Sequence, residues 1–371
     1  MCDVPALRFP EFTEEWQYAK FKDVVTLQRG SSPRPIINYL TTSDDGVNWV
    51  KIGDMPTSGR IVTSTEEKIT KEGAKKSRHV SAGDLILSNS MSYGLPYIMG
   101  IDGYIHDGWF VLKNYEQTFD RDYLCNLLIS DAIQKQYKKL AAGGVVQNIS
   151  SDLVNSVNVF IPCLDEQKKI AKLLNLIDDR ISTQNKIIEK YESLIKGIIE
   201  TVISSQKPNT LIKNCLECNS STLQESQVAE TGAFPVYGAT GISGYTETAD
   251  INGESILIIK DGSGVGTVKF VTGEYSYIGT LNSLSAKDGY CLKYIYIALQ
   301  RFNFEPYKTG MAIPHIYFKD YGKAKIFCPT IKEQFAIAKR ISSIEDKVSV
   351  EKRILFYYQA QKSYLLSQML I

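Results

Sequence analysis

Two stretches of this chain begin a helix with the same letters. "IPCLDEQKKIAKLL" opens at Ile161 and "FCPTIKEQFAIAKRI" opens at Phe327. Pro162 and Pro329, Glu166 and Glu333, Gln167 and Gln334, and Ile170 and Ile337 coincide at one offset of 167. Held without a gap from Gly143 to Tyr191, that offset gives 14 identities in 49 positions, so the chain consists of two half-copies of one plan.

Each copy continues as a heptad. From Ile170 the steps alternate four and three, through Leu174, Ile177, Ile181, Gln184, Ile188, Tyr191 and Ile195. The second copy runs Ile337, Ile341, Ile344, Val348, Glu351, Leu355 and Tyr358. A 3.5-residue spacing sustained this long is a coiled-coil seam. Both copies break it with a polar residue at the same place, Gln184 and Glu351, as register-setting positions do. Thr330 and Glu333 have capping-box spacing, and Asp165 and Glu166 put negative charge at the first helix start. Pro208 in "SSQKPNT" closes the first helix. The segments are therefore a first globular domain over 1–160, a long helix over 161–205, a second domain over 206–328 and a second long helix over 329–371. A helix from 165 to 203 is on the order of 58 Å long. Two such helices from one chain pair most simply antiparallel, holding the domains at opposite ends of a rod. The fold class expected is α+β: two mixed α/β domains separated by two long helices that form an antiparallel intramolecular coiled coil with a pseudo-two-fold repeat.

The domains echo each other more weakly. "DLILSNSMSYG" at Asp84 resembles "SILIIKDGSGVG" at Ser255, and "DYLCNLL" at Asp122 resembles "KYIYIAL" at Lys293, an offset of 171. The supporting helices are alike where the domains differ, a pattern that suits one scaffold presenting two specificities.

Composition removes several function classes. Net charge is +1, with 17 basic and 19 acidic residues over 1–160 and 11 of each over 206–330, so any affinity for nucleic acid must come from local patches or partner subunits. No apolar run approaches the roughly 20 residues of a membrane span, and the start has no signal-peptide pattern, so a cytoplasmic protein is expected. Seven scattered cysteines and three histidines give no metal-site spacing around the lone Cys215/Cys218 pair, which reads as ordinary thiols. "KDGSGVGTV" at Lys260 lacks the endings of phosphate-binding loops and sits between two strand-like runs, so it reads as a tight hairpin. No nucleophile–base set and no adenine-methylating Asn/Asp-Pro-Pro motif is present, and no catalytic residue is expected on this chain.

"PALRFPEFTEEWQYAKFKDVVTLQRGSSP", "NWVKIGDM", "AAGGVVQNIS" before "IPCLDEQKKIAKLL", and "FPVYGATGISGY" resemble the specificity subunit of type I restriction–modification systems, in order and over essentially the whole chain. That resemblance implies two target recognition domains, each reading one half of a split sequence in double-stranded DNA, with the coiled coil fixing the gap. It implies as partners two modification subunits carrying S-adenosylmethionine and two restriction subunits using ATP and Mg, with no cofactor on this chain. Base and phosphate contacts call for Arg, Lys, Asn, Ser or Thr on loops. In the first domain the candidates are Arg29, Ser31, Ser32, Arg34, Lys51, Lys75, Lys76, Arg78, Asn89, Ser90 and Tyr93. In the second they are Tyr237, Thr240, Lys260, Ser263, Thr267, Lys308 and His315. Outward cations such as Lys168, Lys172, Lys339 and Arg340 are candidates for partner contact. Two other readings stay open from the residues alone: a coiled-coil scaffold with heads that bind something other than DNA, and a nucleotide-binding enzyme using the Gly262–Gly266 loop.

Overall fold

The computed structural model describes residues 4–56, 59–89, 94–141, 149–310 and 312–371. The chain divides into two compact units, Met1–Lys186 with Lys352–Ile371, and Ile187–Glu351.

In the first unit, β1 (Thr26–Arg29), β2 (Ile61–Val62), β3 (Leu85–Ser88), β4 (Pro96–Met99) and β5 (Trp109–Lys113) form a sheet in the order β1-β5-β3-β4-β2. Every pairing is antiparallel except β2 with β4. Strands β3 and β5 read as continuous apolar runs because both faces are covered. Leu85, Leu87, Phe110 and Leu112 pack on Tyr123, Leu124, Leu127 and Leu128 of helix α1 (Arg121–Ile129). Ile86, Trp109 and Val111 point the other way, onto Val50, Val80 and Ile105. Those three belong to a second sheet, built from Leu40–Thr41, Val47–Val50, Glu67–Ile69, Arg78–Val80 and Gly103–Ile105. Asp120 caps α1 by accepting from the amides of Asp122 and Tyr123. A short pair, Gln17–Lys20 with Asn158–Ile161, leads into the first long helix, α2 (Leu164–Ile199).

In the second unit, β6 (Leu216–Ser220), β7 (Phe234–Gly238), β8 (Gly241–Thr246), β9 (Ile251–Ile259), β10 (Val268–Tyr277) and β11 (Leu281–Ala286) form a sheet in the order β6-β11-β9-β10-β7-β8. Its first five positions repeat the first unit's order, including the one parallel pair, here β7 with β10. Helix α3 (Leu292–Leu299) takes the place of α1, and the pair Thr210–Leu211 with Lys325–Ile326 leads to the second long helix, α4 (Ile331–Met369). The repeat in the sequence is thus a repeat of topology. The second sheet of the first unit and strand β8 of the second are what each half adds to it.

At 36 and 39 residues, α2 and α4 are about 54 and 58 Å long. Within the first unit, Ile170, Ala171, Leu174 and Ile177 of α2 share a core with Leu365 and Met369 of α4, so the start of one helix meets the end of the other. Asp178 Oδ1 receives Lys362 Nζ at 2.5 Å, and its Oδ2 lies 3.6 Å from Arg60 Nη2. Within the second unit, Ile199 and Ile203 share a core with Ala338 and Ile341, and Lys293 of α3 pairs with Glu345 of α4 at 3.0 Å. In each unit the helices therefore run antiparallel. Along the seam, Ile170, Leu174, Ile177, Gln184, Ile188, Ile341 and Val348 are buried. Ile181, Tyr191, Ile195, Ile337, Ile344, Glu351, Leu355 and Tyr358 are half-buried. Among the described residues, no helix is long and apolar enough to cross a membrane.

Candidate DNA-reading edges and their supports

The strand order decides which loops meet. Strands β1 and β3 both run antiparallel to β5, so their ends converge on the start of β5, with Arg29 opposite Phe110 and Ser88 opposite Trp109. Asp107, just before β5, becomes the hub. Its carboxylate accepts from Ser32 Oγ at 2.7 Å and Arg34 Nη2 at 2.8 Å. Its carbonyl accepts from Arg29 Nε at 3.2 Å and Asn89 Nδ2 at 2.8 Å. Arg78 joins the group by donating to the Arg29 carbonyl and to Gln28. The Ser32 hydroxyl holds the Asp107 carboxyl below its ordinary range, with Arg34 adding to the effect.

Five predicted residues, Arg29, Ser32, Arg34, Arg78 and Asn89, are therefore one assembly. Ser31 flanks it, with its amide on the Ile105 carbonyl. Lys51 stands apart, paired with Glu66 and Glu67, but shares with Ser32 and Arg34 the wall of a cavity of about 1030 Å³ that also includes Trp49 and His106. Burial lowers the His106 pKa, and its Nδ1 accepts from the Gly108 amide. Lys75 pairs locally with Glu72, and Lys76 donates to Tyr39 while lying 4.7 Å from its ring centroid. Neither joins the Asp107 assembly. Ser90 and Tyr93 lie outside the described residues.

The second unit uses the same edge with other chemistry. The Asn89 amide donates to Gly108 O and its carbonyl accepts from Ile149; the Lys260 amide donates to Thr280 O and its carbonyl accepts from Ile316. Asn89 and Lys260 are therefore one position of the repeat, carrying an amide in one half and an ammonium in the other. Beside Lys260, Asp261 Oδ1 meets His315 Nδ1 at 2.6 Å, and His315 exchanges backbone bonds with Thr309, next to Lys308. Lys308 itself pairs with Glu305. Ser263 and Thr267 are exposed in the β9–β10 turn, where Gly262, Gly264 and Gly266 have φ of +91°, +86° and +92°. Those glycines serve the hairpin's left-handed turns, and a side chain at Gly266 would strike Phe304. Tyr237 and Thr240 belong to the β7–β8 hairpin. The Tyr237 ring packs on Tyr275 with Lys269 over it, and Thr240 is exposed. Cys215 faces Cys328, Sγ to Sγ 3.8 Å, while Cys218 is half-buried on β6.

The repeated helix start supports both edges through the glutamine and glutamate that coincide in the two copies. Gln167 and Gln334 are buried. Gln167 Nε2 donates to the carbonyls of Pro162 and Thr118, and its Oε1 accepts from the amide of Asp120, the N-cap of α1. Gln334 Nε2 donates to Pro329 O, and its Oε1 accepts from the amide of Cys291, the N-cap of α3. The same side chain thus ties each long helix to the helix backing each sheet. The neighbouring glutamates diverge. Glu166 is fully buried and holds Arg8 through two bonds of 2.7 and 2.8 Å, with Trp16 Nε1 at 3.2 Å. Glu333 stays exposed and caps its own helix through Thr330, a residue that is cysteine in the first copy.

With that architecture in view, the chain belongs to the family described as the type I restriction modification DNA specificity domain, which matches residues 13–193 and 213–355. Among curated relatives, it is similar to the type I restriction enzyme MjaVIII specificity subunit of Methanocaldococcus jannaschii, 27% identical over 53% of this chain and 47% of that protein. It thus spans about half of that relative. It is also similar to the EcoprrI specificity subunit of Escherichia coli, 19% identical over 87% of this chain and 86% of the relative. The crystal structure of a type I restriction–modification S subunit from M. genitalium shares the fold, with a TM-score of 0.65 over 99% of both chains at 14% identity.

Proposed function

We propose that this chain is the DNA-sequence-reading subunit of a type I restriction–modification complex and carries no catalytic group itself. The domain over 1–160 reads one half-site through the Asp107-centred assembly. The domain over 206–328 reads the other through Lys260, His315 and their neighbours. The long helices over 161–205 and 329–371 set the gap, and a helix of about 54 Å spans at most roughly 16 base pairs of duplex. Two modification subunits carry S-adenosylmethionine and methylate adenine N6, two restriction subunits use ATP and Mg, and the complex works in the cytoplasm. Phosphate neutralisation comes largely from those partners, consistent with a chain of net charge +1.

One observation carries the reading: two halves with the same sheet order and the same backbone bonds at one edge differ there in side-chain chemistry, asparagine against lysine. A catalytic site would need its reacting groups kept, whereas a reader of two different half-sites needs them changed. The test is binding of duplexes with systematically varied half-sites, with the modification subunit present. Salt-sensitive selection of one bipartite sequence is expected. S-adenosylmethionine or ATP bound by the chain alone would contradict the proposal.

A further inference from the structure

We infer that the second unit carries an open docking groove for an extended protein segment in which an arginine sits between apolar side chains. Two equivalent places in this chain differ, whatever the two domains read. In the first unit, residues 7–12 cover the start of α2 and the end of α4. The Leu7 amide donates to Gln368 O at 2.9 Å, Arg8 makes its double bond to Glu166, and Phe9 packs on the core with the Lys169 ammonium 4.5 Å from its ring. At the offset of 167, Gln368 corresponds to Thr201, Glu166 to Glu333 and Lys169 to Ala336. Those three surround the matching surface of the second unit, where a groove of about 440 Å³ lies between the end of α2 and the start of α4. Its floor is Ile198, Val202, Phe327, Pro329 and Ile337, and Glu333 stands at its edge.

Among the described residues, no segment stands in the second unit where residues 7–12 stand in the first. Ala19 pairs with Val159 as Thr210 pairs with Ile326, which sets Leu7–Phe12 opposite Ile198–Ile203. Those residues are the end of α2 and the π-helical turn Glu200–Ser204, so the chain passes from helix to domain without a covering segment. The chemistry of the missing occupant follows from the filled copy. Glu333, exposed and turned back on Thr330, offers a carboxylate where Glu166 takes a guanidinium. Alanine in place of Lys169 widens the bed for an apolar ring. A second copy of this chain is disfavoured as the source, because its residues 7–12 are already held by the buried Arg8–Glu166 pair. The occupant is a segment of a different protein.

The probe is a synthetic peptide of residues 4–13, carrying a benzophenone at the Phe9 position, mixed with the full chain. Expected adducts map to residues 198–206 and 327–340. Labelling there should fall about tenfold with Glu333→Gln, which keeps a bond to Thr330, or with an Arg8→Ala peptide, the loss typical of one charge-assisted pair. It should vanish with Ala336→Trp, while thermal unfolding of both variants stays within about 3 °C of the wild-type value. Adducts only in the first unit, adducts indifferent to Ala336→Trp, or labelling no greater than with a scrambled peptide would overturn the inference. Dimerisation of the chain that Ala336→Trp abolishes would make a second copy the occupant and overturn it as well.

Discussion

Gln167→Leu removes three hydrogen bonds from a fully buried place. It leaves the Asp120 amide and the carbonyls of Thr118 and Pro162 without their side-chain partner. A buried backbone group left unpaired costs about 1–3 kcal/mol, and leucine returns some apolar contact, so the net loss is on the order of 3–5 kcal/mol. In a unit of this size that lowers the midpoint by roughly 10 °C. Gln334→Leu orphans two groups, Cys291 N–H and Pro329 C=O, and should cost about 2–3 kcal/mol in the second unit. Thermal and urea unfolding give the magnitudes, and hydrogen exchange gives the place. The amides of Asp120 and Cys291 should lose protection each in its own variant, with the other joint unaffected. A loss below about 1 kcal/mol in both variants, with those amides still protected, would refute the view that the repeated glutamine is the joint between helix and domain.

Arg8→Ala should destabilise the first unit by about 3–5 kcal/mol in urea melts, because it strands the buried Glu166 carboxylate, while Glu166→Gln should cost less. Asp107→Asn should loosen Ser32 and Arg34 and relax the first half-site in methylation maps while leaving the second half-site unchanged. The Asp107 carboxyl is depressed from its ordinary 3.8, so its stabilising contribution is complete above that value and lost as pH falls through the lower folded value. The stability gap between wild type and Asp107→Asn should accordingly shrink on going from about pH 5 to about pH 3 in urea unfolding. Asp261→Asn, which weakens the hold on His315, should have the mirror effect, relaxing only the second half-site.

The architecture is legible in the sequence wherever a local rule governs it. Pro162 and Pro329 before the glutamine-bearing starts, and the four-three apolar spacing after them, mark the two long helices because capping and seam formation depend on near neighbours. The glycines after Lys260 mark a hairpin for the same reason. The candidate edge is only half legible. Arg29, Ser32, Arg34 and Asn89 can be chosen for their chemistry, but Asp107, which organises them, lies 73 to 78 residues from three of them and meets them only through the sheet order. An acidic residue also looks like a poor candidate beside a phosphate backbone until its two partners are seen. Glu166 and Glu333 show the same limit from the other side. One letter at one repeat position serves as a buried ion pair or as an exposed cap, according to whether a distant arginine reaches it. Lys51, Lys75 and Lys76 carry suitable charge, yet nearby Glu66, Glu67, Glu72 and Tyr39 engage them.

The central proposal, two readers held apart by two helices, is tested most directly by inserting seven residues in register into both α2 and α4 and mapping the methylated sites made with the modification subunit. One heptad adds about 10 Å, or roughly three base pairs. The same two half-sites, separated by a gap longer by that amount, are expected. An unchanged gap with both half-sites retained would contradict it.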